Sequence, residues 1–435
     1  MDIQQLYHLY QQHPIITTDS RDCPKDSIFF ALKGESFDGN KFAAAAIEKG
    51  CAYAIIDNPE YQQDNRFILV EDVLQTFKDL AREHRRQFNI PVIGITGTNG
   101  KTTTKELIAA VLSEKYNTLY TQGNFNNDVG VPKTLFRLAP EHEIAVVEMG
   151  ASHPGDIKTL VETAEPTCGL ITNVGKAHLQ GFGSFEGVMR TKGELYDYLK
   201  AHNALIFING DNENLLRMAH DRDIDRAIEY GTSEGCQVEG NVISCAPFLK
   251  FQWNTRQSQG TPIFQEIQTH LIGAYNIDNM LAAITIGLHF GISPEQIHHA
   301  LSNYIPTNNR SQMEETGKNH LIVDAYNANP SSMKAALDNF HLMQVSPKMA
   351  ILGDMKELGA TSHEEHQHII DLMKEQGMEN VWLVGDEFGN TQSQYRSFKD
   401  VEEVKCAIAN EHIEGYYILI KGSNSTKLFQ LPPLL

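Results

Sequence analysis

The chain has 435 residues, 41% of them hydrophobic, and a formal net charge of −19 from 36 Lys and Arg against 55 Asp and Glu. That length predicts two or three domains at roughly 150 residues each, with ample material for hydrophobic cores. The acidic balance argues against a nucleic-acid surface as the main business, so an anionic ligand has to be caught by local donors.

Residues 1–88 read as a small α/β unit. Apolar runs at 27–32, 52–56 and 67–70 predict short strands, and the pattern over 73–88 predicts a helix with Arg and Lys on its polar side. The first residues, Met1-Asp2-Ile3-Gln4-Gln5, show no basic region followed by an apolar core, so no signal peptide is expected. No apolar run approaches the length of a membrane span, and a soluble, cytoplasmic protein is the expectation. The step Asn89-Ile90-Pro91 predicts a boundary.

From 89 to 308, buried-strand runs at 144–148, 169–173 and 204–208 alternate with helical patterns, which predicts a mostly parallel sheet covered by helices. Residues 248–272 alternate apolar and polar side chains around Ser258-Gln259-Gly260 and read as a β-hairpin, and 276–290 reads as a helix. From 309 to 435 the same rhythm returns, with strand-like runs at 321–324, 349–353, 381–385 and 417–420. The expected architecture is therefore α/β in three domains, with a small N-terminal unit, a central parallel-sheet unit and a C-terminal doubly wound, Rossmann-like unit. Six cysteines at 23, 51, 168, 236, 245 and 406 form no CxxC pair, so neither a zinc site nor a disulfide framework is indicated.

The strongest local signal is Gly94-Ile95-Thr96-Gly97-Thr98-Asn99-Gly100-Lys101-Thr102-Thr103, an apolar run leading through glycines into a helical pattern. Such a turn lets backbone N–H groups approach an anion at a helix N-terminus. Lys101 would reach the outer phosphates, and a Thr hydroxyl would hold Mg²⁺. The strict phosphate-loop pattern wants a glycine five places before Gly100, where Ile95 stands; glycines occupy 94 and 97 instead.

Polar residues that end apolar runs come next, because ligands bind beyond the carboxyl ends of parallel strands. Glu148, Asn173 and Asp324 each do so. Each could equally be a helix cap or a turn residue; a carboxylate there can also hold Mg²⁺, which takes oxygen ligands. His178 follows Asn173 closely, and Lys192 stands near a helix start. The run Gln122-Gly123-Asn124-Phe125-Asn126-Asn127-Asp128 offers many amides to a polar ligand, although a string of tight turns would use the same residues.

On these residues the chain resembles the ATP-dependent Mur ligase family of peptidoglycan synthesis over essentially its whole length. Gly97-Thr98-Asn99-Gly100-Lys101-Thr102-Thr103 matches the phosphate loop of that family, and Glu148-Met149-Gly150, Asn173 with Ala177-His178-Leu179, and Tyr275-Asn276-Ile277-Asp278-Asn279 match shared positions. Gly123-Asn124-Phe125-Asn126-Asn127, Asp324-Ala325-Tyr326-Asn327-Ala328-Asn329-Pro330 and Leu352-Gly353-Asp354-Met355-Lys356-Glu357-Leu358 are similar to the branch that adds a dipeptide. The chain departs from that branch at Ala325, Asn309 and Asn424, where Ser, Gly and Arg are common.

The resemblance implies ATP and Mg²⁺ as cofactors, and UDP-N-acetylmuramoyl-tripeptide and D-alanyl-D-alanine as small-molecule partners of a monomer. It implies that Lys101 meets the β- and γ-phosphates, that Thr102 with Glu148 holds one Mg²⁺, that His178 helps to hold a second, and that Lys192 is carbamylated. Asn276 and Asn279 are expected near adenine, with Arg310 and Asp324 reaching the nucleotide from the third domain. Ser20, Arg21 and Lys33 are expected at the UDP part, and Asn124, Asn126, Asn127, Tyr326, Asn327 and Asn329 at the dipeptide. A sibling that adds one amino acid, or a folylpolyglutamate synthetase, shares the phosphate loop, but the Asn-rich loop and Tyr326-Asn327-Ala328-Asn329 argue against both. A nucleotide-binding scaffold without activity would be marked by loss of Lys101, Glu148, His178 or Lys192, and all four are present.

Overall fold

The computed structural model describes residues 1–34, 36–255, 265–306 and 312–435. Runs of β-branched and aliphatic residues form the inner strands, and amphipathic segments form the helices that cover them. A four-stranded parallel sheet takes the order Ile16–Thr17, Ile28–Phe30, Tyr53–Ile56, Phe67–Leu69. The helix Val73–Arg86 starts at Asp72, whose carboxylate accepts from Gln75 N–H, and it buries Phe77 and Leu80 against this sheet. Its far end reaches the second unit, where the buried Arg85 donates through Nε to the Ala164 carbonyl at 3.1 Å.

The second sheet has nine strands, in the order Gln265–Ile272, Phe248–Thr255, Val238–Cys245, Ala227–Gly231, Leu205–Asn209, Cys168–Ile171, Val92–Thr96, Ile144–Glu148, Thr118–Tyr120. The first three pair antiparallel and the rest are parallel. Every residue of Val92–Thr96 and Ile144–Glu148 is buried, as expected for strands with helices on both faces. The predicted hairpin over 248–272 is present as two paired strands that extend the central sheet; its turn, at 258–260, lies outside the described residues. Chain order reverses around Val92–Thr96, which lies between Cys168–Ile171 and Ile144–Glu148. That is the switch point where open α/β sheets bind ligands.

The third sheet runs Gln312–Glu315, His320–Asp324, Tyr417–Lys421, Lys348–Gly353, Val381–Val384, Arg396–Phe398, parallel except for its first strand. Phe248 and Ile272, from the antiparallel end of the nine-stranded sheet, pack against its core with Ile322 and Phe340. No described helix is long and apolar enough to cross a membrane.

Candidate active site

The phosphate-loop segment folds as its sequence predicts. Strand Val92–Thr96 ends, Gly97 and Gly100 take positive φ (148° and 77°), and helix Lys101–Leu112 begins. The two glycines are required for space as well: a Cβ at Gly97 would come within 2.0 Å of Thr172 Oγ1, and one at Gly100 within 2.7 Å of Asn279 Oδ1. The loop is braced from the neighbouring strand. Thr98 and Asn99 N–H donate to the Asn173 carbonyl and its Oδ1, both at 2.9 Å, and Thr172 Oγ1 donates to the Asn99 carbonyl at 2.6 Å. Lys101 Nζ folds back over its own loop, donating to the Gly97 carbonyl at 2.8 Å and the Thr98 carbonyl at 3.0 Å.

Thr102 and Glu148 meet beneath this loop. Thr102 Oγ1 lies 3.2 and 3.0 Å from the two Glu148 carboxylate oxygens, and the residues are 3% and 1% exposed. A hydroxyl beside a buried carboxylate is a hard-oxygen pair of the kind Mg²⁺ takes. Among the described residues no three His, Cys, Asp or Glu side chains converge on a metal position. The donors therefore suit a cation that completes its shell with phosphate and water oxygens. Asn126 Nδ2 holds Glu148 Oε1 at 2.8 Å.

Lys192 sits on helix Phe185–Ala201, 2% exposed, with its ammonium 5.5 Å from the Phe182 ring and no hydrogen-bond partner among the described residues. Burial, with the positive charge of Lys101 second, pushes its pKa well below that of an ordinary lysine; Asp156, Glu194 and Glu148 act the other way. The amine is thereby biased toward its neutral, nucleophilic form.

The phosphate loop, Asn126 and Glu148 border a cleft of about 1070 Å³ between the second and third units, while Thr102 and Lys192 lie buried behind its lining. From the second it is lined by Thr98 to Lys101, Thr103, Asn126, Asn127, Glu148, His178, Asn276 and Asn279, and from the third by Asp324, Tyr326, Asn327, Asn329 and Lys421. Asn276 and Asn279 spend their amides on a buried chain: Thr104 Oγ1 donates to Asn279 Oδ1, Asn279 Nδ2 to Asn276 Oδ1, and Asn276 Nδ2 to the Ile272 carbonyl, at 2.8, 2.8 and 2.7 Å. Asn329 caps helix Pro330–Leu342 and crosses the cleft, donating from Nδ2 to Asn99 Oδ1 at 2.8 Å.

Other predicted residues fall elsewhere. Asn124 is exposed outside the cleft lining, whereas Asn127 lines the cleft while its Oδ1 accepts from Gly130 N–H at 2.8 Å. Ser20, Arg21 and Lys33 stand apart on the first unit, where Arg21 pairs with Asp19 at 2.7 Å and Lys33 with Asp57 at 2.8 Å. Arg310 lies outside the described residues. The sequence reading missed Lys421, which is 1% exposed and donates to Asp324 Oδ2 at 2.5 Å. A lysine ending an apolar strand run was the available signal, but only the register of Asp324 opposite Lys421 gives it a partner. It also missed the contact of His178 Nδ1 with Glu357 Oε2 of the third unit.

Three family models together match most of the chain: the "Mur ligase family, catalytic domain" at residues 14–93, the "Mur ligase middle domain" at 95–287, and the "Mur ligase, glutamate ligase domain" at 309–424. A curated relative from Bacillus subtilis, UDP-N-acetylmuramoyl-tripeptide--D-alanyl-D-alanine ligase, is 34% identical, covering 97% of this chain and 93% of its own. Among solved structures, MurF from Acinetobacter baumannii is similar with a TM-score of 0.88 at 29% identity, covering 99% and 97% of the two chains. The MurF ligase from Thermotoga maritima in complex with ADP reaches 0.86 at 26% identity, covering 97% of each.

Proposed function

The chain belongs to the Mur ligase family, and we infer that its cleft joins D-alanyl-D-alanine to UDP-N-acetylmuramoyl-tripeptide at the expense of ATP. The observation that carries this reading is the buried Thr102–Glu148 pair under a phosphate loop that faces Asp324, Tyr326 and Asn327 across the cleft. Relatives that match nearly the full chain bear the name of that ligase.

A carboxylate does not react with an amine at neutral pH because oxide is a poor leaving group. Transfer of the γ-phosphoryl group to the tripeptide carboxylate releases ADP and leaves an acyl phosphate. The dipeptide amine then attacks the acyl carbon, and the tetrahedral intermediate collapses with loss of phosphate. Such chemistry asks mainly for positioning and neutralisation of charge. Lys101 leaves the Gly97 and Thr98 carbonyls to meet the β- and γ-phosphates. Mg²⁺, held by Thr102 and Glu148 and at a second position by His178, would supply the remaining positive charge at the phosphoryl oxygens.

Lys192 is the residue we assign to carbamylation. Its neutral amine adds to the carbon of CO₂ and loses one proton, so that an oxygen anion replaces a buried cation beside Lys101. Asn276, Asn279, Asp324 and Arg310 are assigned to the nucleoside, Ser20, Arg21 and Lys33 to the UDP end, and Tyr326 and Asn327 to the dipeptide. Asn126 and Asn329 act as braces of the cleft, since their amides already hold Glu148 and Asn99. We assign the three domains to 1–88, 89–308 and 309–435. We also assign the enzyme to the cytoplasm, where ATP is supplied, as a monomer.

The test is a mass-spectrometric assay with ATP, Mg²⁺, UDP-N-acetylmuramoyl-tripeptide and D-alanyl-D-alanine, beside a reaction offering the UDP-dipeptide and single amino acids. The pentapeptide mass is expected only in the first. Product only in the second would move the chain to a sibling activity, and ATP binding with product in neither would mark a non-enzyme.

A further inference from the structure

The loop that carries His178 is held from the third unit by side chains that the reaction has not yet used. His178 has φ 51°, caps the short helix Leu179–Phe182, and sets its ring edge-on to Phe182 at 6.1 Å. Its Nδ1 faces Glu357 Oε2. Glu357 also takes a left-handed backbone, at φ 63°, and its carbonyl accepts from Gln180 N–H at 3.3 Å. Two non-glycine residues in that region, meeting side chain to side chain, are held there by their surroundings.

The turn that delivers Glu357 is fixed on every side. Asp354, 1% exposed, accepts from Phe388 N–H at 3.0 Å and Glu387 N–H at 3.2 Å. Met355 N–H donates to His366 Nε2 at 3.0 Å, and Lys356 N–H to Ser423 Oγ at 3.1 Å. A second pair, Lys176 Nζ with Glu365 Oε1 at 2.8 Å, ties the same loop to the third unit one helix further on.

A histidine that ligates a metal through one nitrogen commonly donates the other N–H to a carboxylate, which sets tautomer and ring orientation. We propose that Glu357 is a positioning residue for the metal site: it accepts the Nδ1–H of His178, so that Nε2 presents its lone pair to the cleft. Because Glu357 belongs to the third unit, the ring is aimed only when that unit is docked. The proposal rests on the reading of His178 as a ligand of the second cation, and its test separates the two.

The measurement is Mn²⁺ titration by electron paramagnetic resonance in the presence of a non-hydrolysable ATP analogue. The set is wild type, His178→Ala, Glu357→Ala, Glu357→Gln and Glu365→Ala. Glu357→Ala is expected to weaken the second Mn²⁺ by about 10–100-fold while leaving the first. Glu357→Gln, which keeps an acceptor oxygen, should recover most of that loss. Glu365→Ala, which breaks the Lys176 pair and the longer contact of Glu365 with His368 on its own helix, should keep both ions. In steady state, Glu357→Ala should lower kcat and leave the KM for ATP near wild type. Wild-type Mn²⁺ binding in Glu357→Ala, beside one ion lost in His178→Ala, overturns the proposal alone. Equal losses in Glu357→Ala and Glu365→Ala also overturn it, in favour of docking. Two ions retained in His178→Ala overturn the ligand reading and the proposal with it.

Discussion

Lys101, Lys192 and Asp278 each make a claim that one substitution can check. Removing the Lys101 ammonium takes away a preorganised donor aimed at developing phosphoryl charge. Such a loss costs about 3 kcal/mol or more, or 10²–10³-fold in kcat. Lys101→Ala should therefore lose turnover by that factor in a phosphate-release assay, while circular dichroism stays unchanged. For Lys192, labelled bicarbonate should give a carbamate carbon resonance in the wild type that Lys192→Arg lacks, since a guanidinium has no neutral form at working pH. Asp278 faces the cleft in a mostly buried setting, and desolvation, with the nearby Asp211 charge second, raises its pKa from 3.8 to about 6. The folded state therefore holds the proton more tightly than the unfolded one. The group is unpenalised below about pH 4, stability falls as pH rises from there to about 6, and the loss then levels off. Asp278→Asn should raise the melting temperature at pH 7.5, by the equivalent of about 3 kcal/mol at most. At pH 4 it should leave that temperature nearly unchanged.

The helix Pro330–Leu342 shows how one residue can serve an element and an interface together. Asn329 Oδ1 accepts from Ser332 N–H at 2.9 Å as the cap, while its Nδ2 reaches Asn99 across the cleft. Asn329→Asp keeps the acceptor and discards the donor, so the cap, worth about 1 kcal/mol, should survive. Limited proteolysis should then find an intact third unit with a looser junction, whereas Asn329→Ala should weaken both. The elements easiest to read in the sequence were those whose signals are local. Strand, glycine turn and helix start at 92–103 lie within one short stretch, and Glu148 and Asp324 end buried runs that announce themselves. Strands such as Ile16–Thr17, Thr118–Tyr120 and Arg396–Phe398 went unread because they are short; all three are sheet edges, and two of them carry exposed residues. The pairs Lys421–Asp324, Glu357–His178 and Asn329–Asn99 depend on strand order and on how units meet, which no window of sequence contains. The same limit hides the protein partners of the amides at 124–127. Glu148 for Asn126 Nδ2 and the turn at Gly130 for Asn127 Oδ1 are visible only in three dimensions.

Across the molecule, the junction between the second and third units has two characters. Phe248 and Ile272 pack into an apolar core with Ile322 and Phe340, whereas the cleft side is joined by charges and amides. A hinge on the apolar side and a latch on the polar side would let the third unit swing without unpacking its core. The Lys176 side chain is 56% exposed, so its pair with Glu365 is open to screening. Raising salt from 0.1 to 1 M shortens the screening length from about 10 to about 3 Å. Small-angle scattering should record an expansion of the ligand-free enzyme over that range, reversed by ATP analogue and dipeptide together. Profiles that do not move with salt or ligand would rule the latch out.

Lys101 carries one consequence for life in a crowded metabolite pool. Its ammonium donates to two carbonyls of the loop it serves. A lone phosphate or sulfate ion would have to break both bonds to win one partner. A nucleoside triphosphate brings several oxygens at once, along with a base to anchor them. The loop thus sets an admission threshold that small anions fail to meet, which keeps the seat open for the fuel even where free phosphate is plentiful.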